Sequence, residues 1–143
     1  MSAAQHLILA CTALAFLSGL VLLRLLTVRV AEMKARGLDL QDVNTSLAVA
    51  TRLSQVQAAD NFKNLFEVPV LFYAWCALVV ASGQAQPLDA TAAWVYVALR
   101  YVHSLVQCSY NRVLDRFIVH FVSSLWLLAC WGLLAWRVCQ AAT

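Results

Sequence analysis

Polar side chains interrupt the apolar stretches of this sequence in two places, and their spacing could bring them together to do chemistry. The first group follows the spacing i, i+4, i+7, which puts Asp60, Asn64 and Glu67 on one face of a helix. Pro69 lies two residues further on, and because proline has no amide N–H it predicts a kink beside Glu67. Polar groups are costly in hydrocarbon, so this face is expected to meet protein, water or a ligand.

A second polar stripe runs along the third apolar stretch with the spacing i, i+4, i+7, i+11, i+15. Its members are Tyr96, Arg100, His103, Gln107 and Asn111. An arginine this deep in an apolar stretch is rare and is usually paired. With a helical rise of about 1.5 Å per residue, Glu67, Arg100 and His103 lie at a similar depth. The sequence therefore predicts an ion pair between Glu67 and Arg100, with His103 and Asn64 bonded around it.

The stripe leads to a basic pair one helical turn apart, Arg112 and Arg116. Two interpretations of this pair are open. The arginines could contact lipid headgroups and set the topology, or they could clamp an anionic ligand and stabilise a thiolate. The predicted ion pair between Glu67 and Arg100 also has two interpretations. It could be functional, or it could do no more than fix the helix register. His120, on the last apolar stretch, is interpreted as an ordinary interfacial histidine.

The composition is that of a membrane protein. Of the 143 residues 63% are hydrophobic and 12% are charged, which is about half the charged fraction of a soluble domain. A net charge of +3 and the absence of nucleic-acid-binding motifs argue against a nucleic-acid partner. The five cysteines form no CxxC motif and no cluster with histidine at metal-binding spacing, so no metal site is predicted. They are interpreted as small buried hydrophobic side chains.

The apolar stretches predict an all-α membrane protein, a four-transmembrane-helix bundle that forms a single domain over residues 1–143. Its spans cover about residues 7–26, 65–83, 90–109 and 117–136. The first helix is expected to extend beyond the membrane and to end at Gly37. The second is expected to start at Asn44 or Thr45 and to continue unbroken into the second span.

Basic residues set the predicted orientation. They flank the first and third loops and are nearly missing from the two termini and the second loop. The positive-inside rule therefore predicts that both termini lie outside the cytoplasm. The short loops and compact length favour a bacterial inner membrane, with membrane lipids as the surrounding partners.

Three motifs, in this order, resemble the MAPEG family, the membrane-associated proteins in eicosanoid and glutathione metabolism that include microsomal glutathione transferases. They are Asn64-x-x-Glu67 followed by Pro69, Arg100-x-x-His103, and the basic pair Arg112 and Arg116. The resemblance covers nearly the whole chain. It implies a homotrimer of four-helix subunits that binds glutathione at the subunit interface. It also implies a transferase or peroxidase activity on lipophilic electrophiles or hydroperoxides, small molecules that enter from the bilayer.

The resemblance further implies roles for individual residues. As the catalytic residue, Arg112 or Arg116 would stand near the glutathione thiol. The glutathione-binding side chains would be those of Asn64, Glu67, Arg100, His103, Lys63 and Gln107.

Two departures from the family pattern keep an alternative open. Asp60 stands where glutathione-handling members usually carry arginine, and Gln107 stands where some carry a tyrosine that can contact the thiol. The alternative is a non-catalytic family member that binds a lipid or another small anion at the same interface. A channel or transporter subunit is disfavoured, because the polar stripe fades beyond Tyr96 and leaves no continuous polar path.

Overall fold

The computed structural model describes residues 1–141, with side chains through residue 140, and these residues form helices joined by short loops. The α-helices are α1 Ala3–Arg36, α2 Ser46–Arg52, α3 Gln57–Asn64, α4 Val68–Ala81, α5 Pro87–Cys108 and α6 Val113–Ala141. A short 3₁₀ helix, Leu40–Val43, precedes α2. No strand occurs among the described residues, in agreement with the predicted all-α class.

Three helical segments are long and apolar enough to cross a membrane, and they identify the chain as an integral membrane protein. They are Ala3–Arg36, Gln57–Ala81, in which α3 and α4 follow each other, and Val113–Gln140. α5, which contains the predicted third span, is not among them. The polar stripe lowers the hydropathy of α5, yet most of that stripe is buried against other helices. The count of four spans therefore stays a prediction.

α1 begins and ends at caps that are readable in the sequence. Ser2 forms a capping box: its hydroxyl accepts a hydrogen bond from the Gln5 amide, and its own amide donates to Gln5 Oε1. At the other end Gly37 adopts φ +62°, a left-handed conformation in which only glycine is free of strain. Its amide donates to the Lys34 carbonyl, and the predicted end of the helix at Gly37 is confirmed.

The prediction of one continuous second helix is wrong, because the chain breaks twice before it crosses the bundle. Thr45 does cap α2, and its hydroxyl accepts a hydrogen bond from the Ala48 amide. However, α2 ends at Arg52, and Leu53 adopts extended backbone before α3 begins. A contact with α1 overrides the local preference of this stretch for helix.

That contact is made by the carboxylate of Glu32, near the end of α1. It accepts hydrogen bonds from the Ser54 amide at 2.8 Å, the Ser54 hydroxyl at 2.7 Å and the Gln55 amide at 3.1 Å. Arg36 pairs with the same carboxylate at 2.7 Å. Because Glu32 is buried, the stretch between α2 and α3 is firmly fastened to α1.

Glu32→Ala is expected to release this stretch. The Ser54 and Gln55 amides would lose their acceptor, and their hydrogen exchange should accelerate about tenfold for each 1.4 kcal/mol of local stability lost. Hydrogen–deuterium exchange of the peptide that contains both residues measures the effect. Lys34→Ala, an exposed change two residues further along α1, is the control and should leave exchange unchanged. Equal exchange in the two variants would contradict the role given to Glu32.

The second break lies between α3 and α4, at residues 65–67, and agrees with the kink predicted from Pro69. Glu67 has φ −97° and ψ −100°, outside helical geometry. Pro69 occupies the first turn of α4, where its missing N–H needs no partner. α3 and α4 therefore follow each other as one bent segment, with Glu67 at the bend.

α5 is the central helix and packs against α1, α3 and α6. Aromatic side chains hold α4 in its place beside it. Phe72 stacks on Tyr96 with ring centroids 4.6 Å apart, and the indole of Trp75 donates to the Cys130 carbonyl at 3.2 Å. These contacts fix α4 against α5 and α6. Because α3 leads directly into α4, it lies beside the polar face of α5.

Candidate functional site

The two predicted polar groups meet at an open cavity of about 460 Å³ between α3, α5 and α6. Such a volume is typical of a small-molecule site. The cavity is lined by Asp60, Lys63, Asn64, Glu67, His103, Gln107, Val113, Arg116, Phe117 and His120. Six of the eight residues that the family resemblance put in the site thus lie on its walls. Arg100 contacts two of the lining residues from behind, and Arg112 lies outside the cavity.

Amide side chains hold α3 against α5 at this cavity. Asn64 Nδ2 donates to Gln107 Oε1 at 3.2 Å, and the Ser104 hydroxyl donates to Asn61 Oδ1 at 3.2 Å. Asn61 is fully buried and also donates to the Cys108 sulfur at 3.3 Å. Sequence reasoning gave Asn61 and Ser104 no role. The available signal was their position three residues before Asn64 and Gln107, which places each on the same helix face.

The predicted ion pair between Glu67 and Arg100 is wrong, since none of the three ion pairs among the described residues joins them. Arg100 is fully buried. Its Nη2 donates to the Asn64 carbonyl at 3.1 Å, and its Nη1 lies 3.1 Å from His120 Nδ1. The bend after α3 turns Glu67 toward the open cavity, where the residue is exposed. The acceptor that replaces it is a free carbonyl at the end of α3, where the helix dipole is negative.

His120 belongs to this cluster, so its interpretation as an ordinary interfacial histidine is wrong. Because a guanidinium group only donates, Nδ1 of His120 accepts from Arg100. The rings of His120 and His103 lie 5.3 Å apart, centroid to centroid. The signal that could have found His120 is its position four residues after Arg116, which places both on one face of α6.

The basic pair separates at the start of α6. Arg116 lines the cavity and donates through Nη1 to Asn111 Oδ1 at 3.1 Å, while its carbonyl accepts from His103 Nδ1 at 3.2 Å. Arg112 is exposed and does not line the cavity. Asn111 adopts φ +48°, a left-handed conformation that asparagine tolerates, and makes the turn between α5 and α6. A catalytic role for Arg112 stays a prediction.

Three buried polar atoms on α5 have no hydrogen-bond partner among the described residues: Tyr96 Oη, Arg100 Nε and His103 Nε2. All three belong to the predicted stripe. Buried polar groups are almost always hydrogen-bonded, and each exception points to a functional role or to a partner such as water. The unpartnered atom of His103 belongs to a residue on the cavity wall, and that of Arg100 belongs to a residue directly behind this wall.

The cavity wall carries both signs of charge. Lys63 and Arg116 are cationic, and Asp60 and Glu67 are anionic. None of the four takes part in an ion pair within residues 1–140. Their charges are therefore available to a ligand, and the combination suits one that bears carboxylate and ammonium groups together.

Comparison with known proteins agrees with the three motifs. A family model described as the MAPEG family matches residues 7–136, which include every residue of the cavity. No curated protein and no solved structure matches the chain significantly. The match extends from α1 into α6, so it covers the whole bundle rather than the motifs alone, and the resemblance inferred from those motifs is confirmed.

Proposed function

The chain belongs to the MAPEG family, and we propose that it is a membrane-bound glutathione transferase or peroxidase acting on lipophilic electrophiles or hydroperoxides. The observation that carries this proposal is the cavity, in which Arg116 lies among side chains of both charges. Family membership supports a protein of the glutathione transferase type. The cavity supplies the chemical groups that such a protein needs.

The side chains of the cavity fit glutathione, which carries two carboxylates, one ammonium group and one thiol. Lys63 is available to bind a carboxylate, and Asp60 and Glu67 are available to bind the ammonium group. Asp60 replaces the arginine of the family pattern. Lys63, on the same short helix, supplies a positive charge in its stead, so a carboxylate in the cavity still meets a cation.

When bound, glutathione would supply the thiol that attacks an electrophile or reduces a hydroperoxide. Arg116 would hold that sulfur as the thiolate, because a nearby guanidinium stabilises negative charge on sulfur. The hydrogen bond to Asn111 orients the guanidinium. The bond from His103 to the Arg116 carbonyl ties the first turn of α6 to α5, which keeps Arg116 at the cavity.

The cavity also offers a route for a lipophilic substrate. Val113 and Phe117, at the start of α6, are exposed apolar residues on its wall. The proposal includes a homotrimer in which a neighbouring subunit closes the open side, as the family resemblance implies. The cavity lies at the end of the bundle that carries the basic loops. The proposal also includes a bacterial inner membrane, and the positive-inside rule would then put the cavity on its cytoplasmic side and both termini outside the cytoplasm.

Calorimetric titration of the detergent-solubilised protein with glutathione tests the proposal. Saturable binding at submillimolar glutathione is expected. Lys63→Gln should weaken it about tenfold, since a charge-assisted hydrogen bond contributes about 1.5–3 kcal/mol. Lys34→Gln, an exposed change outside the cavity, should leave the affinity unchanged. Absence of binding up to millimolar glutathione would overturn the proposal.

A second candidate is a non-catalytic family member that binds a lipid or a small anion in the same cavity. Asp60 favours it, because this carboxylate would repel a glutathione carboxylate placed beside it. Failure to turn over both an aryl halide and a lipid hydroperoxide, with a co-purifying lipid or anion identified by mass spectrometry, would select this candidate.

A further inference from the structure

A cavity of about 610 Å³, the α1 groove, lies between α1 and the stretch that joins α2 to α3. A smaller cavity of about 150 Å³ adjoins it, and the two share Arg24, Val28 and Gln55. Neither shares a residue with the polar cavity between α3, α5 and α6. A ligand of the α1 groove therefore binds through a separate set of side chains from those proposed to bind glutathione.

Arg24 lies where α1 leaves the hydrocarbon core. It is the first charged residue after the run Leu7–Leu23, which corresponds to about 26 Å of helix and so to most of the thickness of that core. Arg24 is exposed, and its guanidinium has no hydrogen bond or ion pair within residues 1–140. A charged side chain this close to hydrocarbon is costly without a partner. Lipid phosphates lie at this level of the membrane and can supply one.

The wall of the α1 groove offers a free positive charge and no free negative charge. The carboxylate in the wall, that of Glu32, already accepts from Ser54, from the Gln55 amide and from Arg36. Arg36 also donates to the Arg52 carbonyl at 2.9 Å and to the Ser54 hydroxyl at 3.0 Å. These contacts satisfy both groups, so Arg24 is the cation of this wall that remains available to a ligand.

Gln55 supplies a neutral donor to the same site. Its backbone amide donates to Glu32 at 3.1 Å, which fixes the residue in the wall. Its side-chain amide has no partner within residues 1–140. A guanidinium and an amide that line one cavity are suitable donors for the oxygens of a phosphate group.

An exposed apolar track leads from Arg24 into the membrane. Leu20 and Phe16 precede Arg24 by four and eight residues, so they lie on the same face of α1. Both are exposed, Leu20 at 44% and Phe16 at 65%. A molecule with its phosphate at Arg24 would thus lay a hydrocarbon chain along this face.

We infer that the α1 groove binds an anionic phospholipid. Arg24 and the side-chain amide of Gln55 donate to its phosphate, and one acyl chain lies along Leu20 and Phe16. The groove prefers an anionic headgroup to a zwitterionic one. A choline or ethanolamine group would bring an ammonium charge to a wall whose carboxylate, that of Glu32, is already satisfied.

Native mass spectrometry of the delipidated protein in detergent tests the headgroup. The protein is titrated with phosphatidylglycerol and, separately, with phosphatidylcholine of the same acyl chains. We expect phosphatidylglycerol to bind about tenfold more tightly. Arg24→Gln should weaken phosphatidylglycerol binding about tenfold and abolish the preference, because a charge-assisted hydrogen bond is lost.

Two variants serve as matched controls. Lys34→Gln removes an exposed charge from the same helix outside both cavities of the groove, and Lys63→Gln removes a charge from the polar cavity. Both should keep the preference for phosphatidylglycerol. Glycerol 3-phosphate should compete poorly with the lipid, since it lacks acyl chains. Competition as strong as that of phosphatidylglycerol itself would show a site for free phosphate and overturn the inference.

A phosphatidylglycerol with a photoactivatable diazirine in its acyl chain locates the site in the unmodified protein, whether or not Arg24→Gln folds. The cross-link should fall on the α1 peptide that contains Phe16 and Leu20, and excess phosphatidylglycerol should suppress it. Equal affinity for the two lipids, an unchanged preference in Arg24→Gln, or labelling confined to other helices would overturn the inference. Loss of the oligomer in Arg24→Gln with the lipid preference intact would also overturn it, because the groove would then be a contact between subunits.

Discussion

Arg116→Ala should lower kcat/KM for glutathione conjugation by about 100-fold, the loss typical of removing one group that stabilises negative charge in an active site. Arg116 is the arginine on the cavity wall, and in the variant the proposed glutathione thiolate would lose that guanidinium. Arg112→Ala, one turn earlier and outside the cavity, should leave kcat/KM nearly unchanged. The absorbance of the conjugate formed from 1-chloro-2,4-dinitrobenzene measures both.

Asn111→Gly tests whether the effect of Arg116 comes from its charge or from its hydrogen bond to Asn111. The change removes the acceptor of the Arg116 hydrogen bond, yet glycine adopts the φ of +48° readily, so the turn is preserved. A small loss in Asn111→Gly beside a large loss in Arg116→Ala would identify the charge as the active feature. A loss in Arg112→Ala as large as that in Arg116→Ala would contradict the role assigned to Arg116.

Arg137→Ala should lower the free energy of unfolding by about 3–5 kcal/mol, the penalty for removing one partner of a buried ion pair. Arg137 Nη1 lies 2.9 and 2.8 Å from the two carboxylate oxygens of Asp89, which is buried. The pair joins the first turn of α5 to the far end of α6. Its loss would leave the Asp89 charge unpaired inside the bundle. Unfolding in detergent followed by circular dichroism measures the change.

Asp89→Asn in the Arg137→Ala background should restore much of the lost stability. The neutral amide needs no counter-charge, and its oxygen can still accept the hydrogen bond from the Gln86 amide that caps α5. Arg52→Ala is the control for burial, because its ion pair with Asp42 is exposed and should contribute less than about 1 kcal/mol. Equal losses in Arg52→Ala and Arg137→Ala would show that burial is not the cause.

The polar face of α5 was predictable, because helical periodicity is a local property of a sequence. Arg100, His103 and Gln107 are all buried on the face that their spacing indicated. The partner of Arg100 was not predictable. The depth of Glu67 was calculated from the rise per residue of one straight helix, and the chain is not straight at this point. The kink before Pro69 was expected, but its direction was not. It turns the Glu67 side chain away from Arg100.

Two other errors come from contacts between distant parts of the chain. Helix α2 ends at Arg52 because Glu32, 22 residues from Ser54 in the sequence, accepts a hydrogen bond from the Ser54 amide. Nothing in the sequence near α2 indicates this contact. His120 was misinterpreted because a single histidine on an apolar helix is compatible with the membrane interface. Its position four residues after Arg116 indicates the face of α6 on which it lies, but its pairing with Arg100 is visible only in the structure. Such pairings belong to the tertiary structure and are not encoded in spacing.

The length of α1 has a consequence for how the protein stands at the membrane surface. Its 34 residues correspond to about 51 Å of helix, whereas the hydrocarbon core of a bilayer is about 30 Å thick. The final turns, with Glu32 and the stretch that it holds, therefore project beyond the hydrocarbon core. A protease recognition sequence inserted after Gly37 would be cut from one face of a sealed vesicle only, and would thereby report the sidedness of the protein.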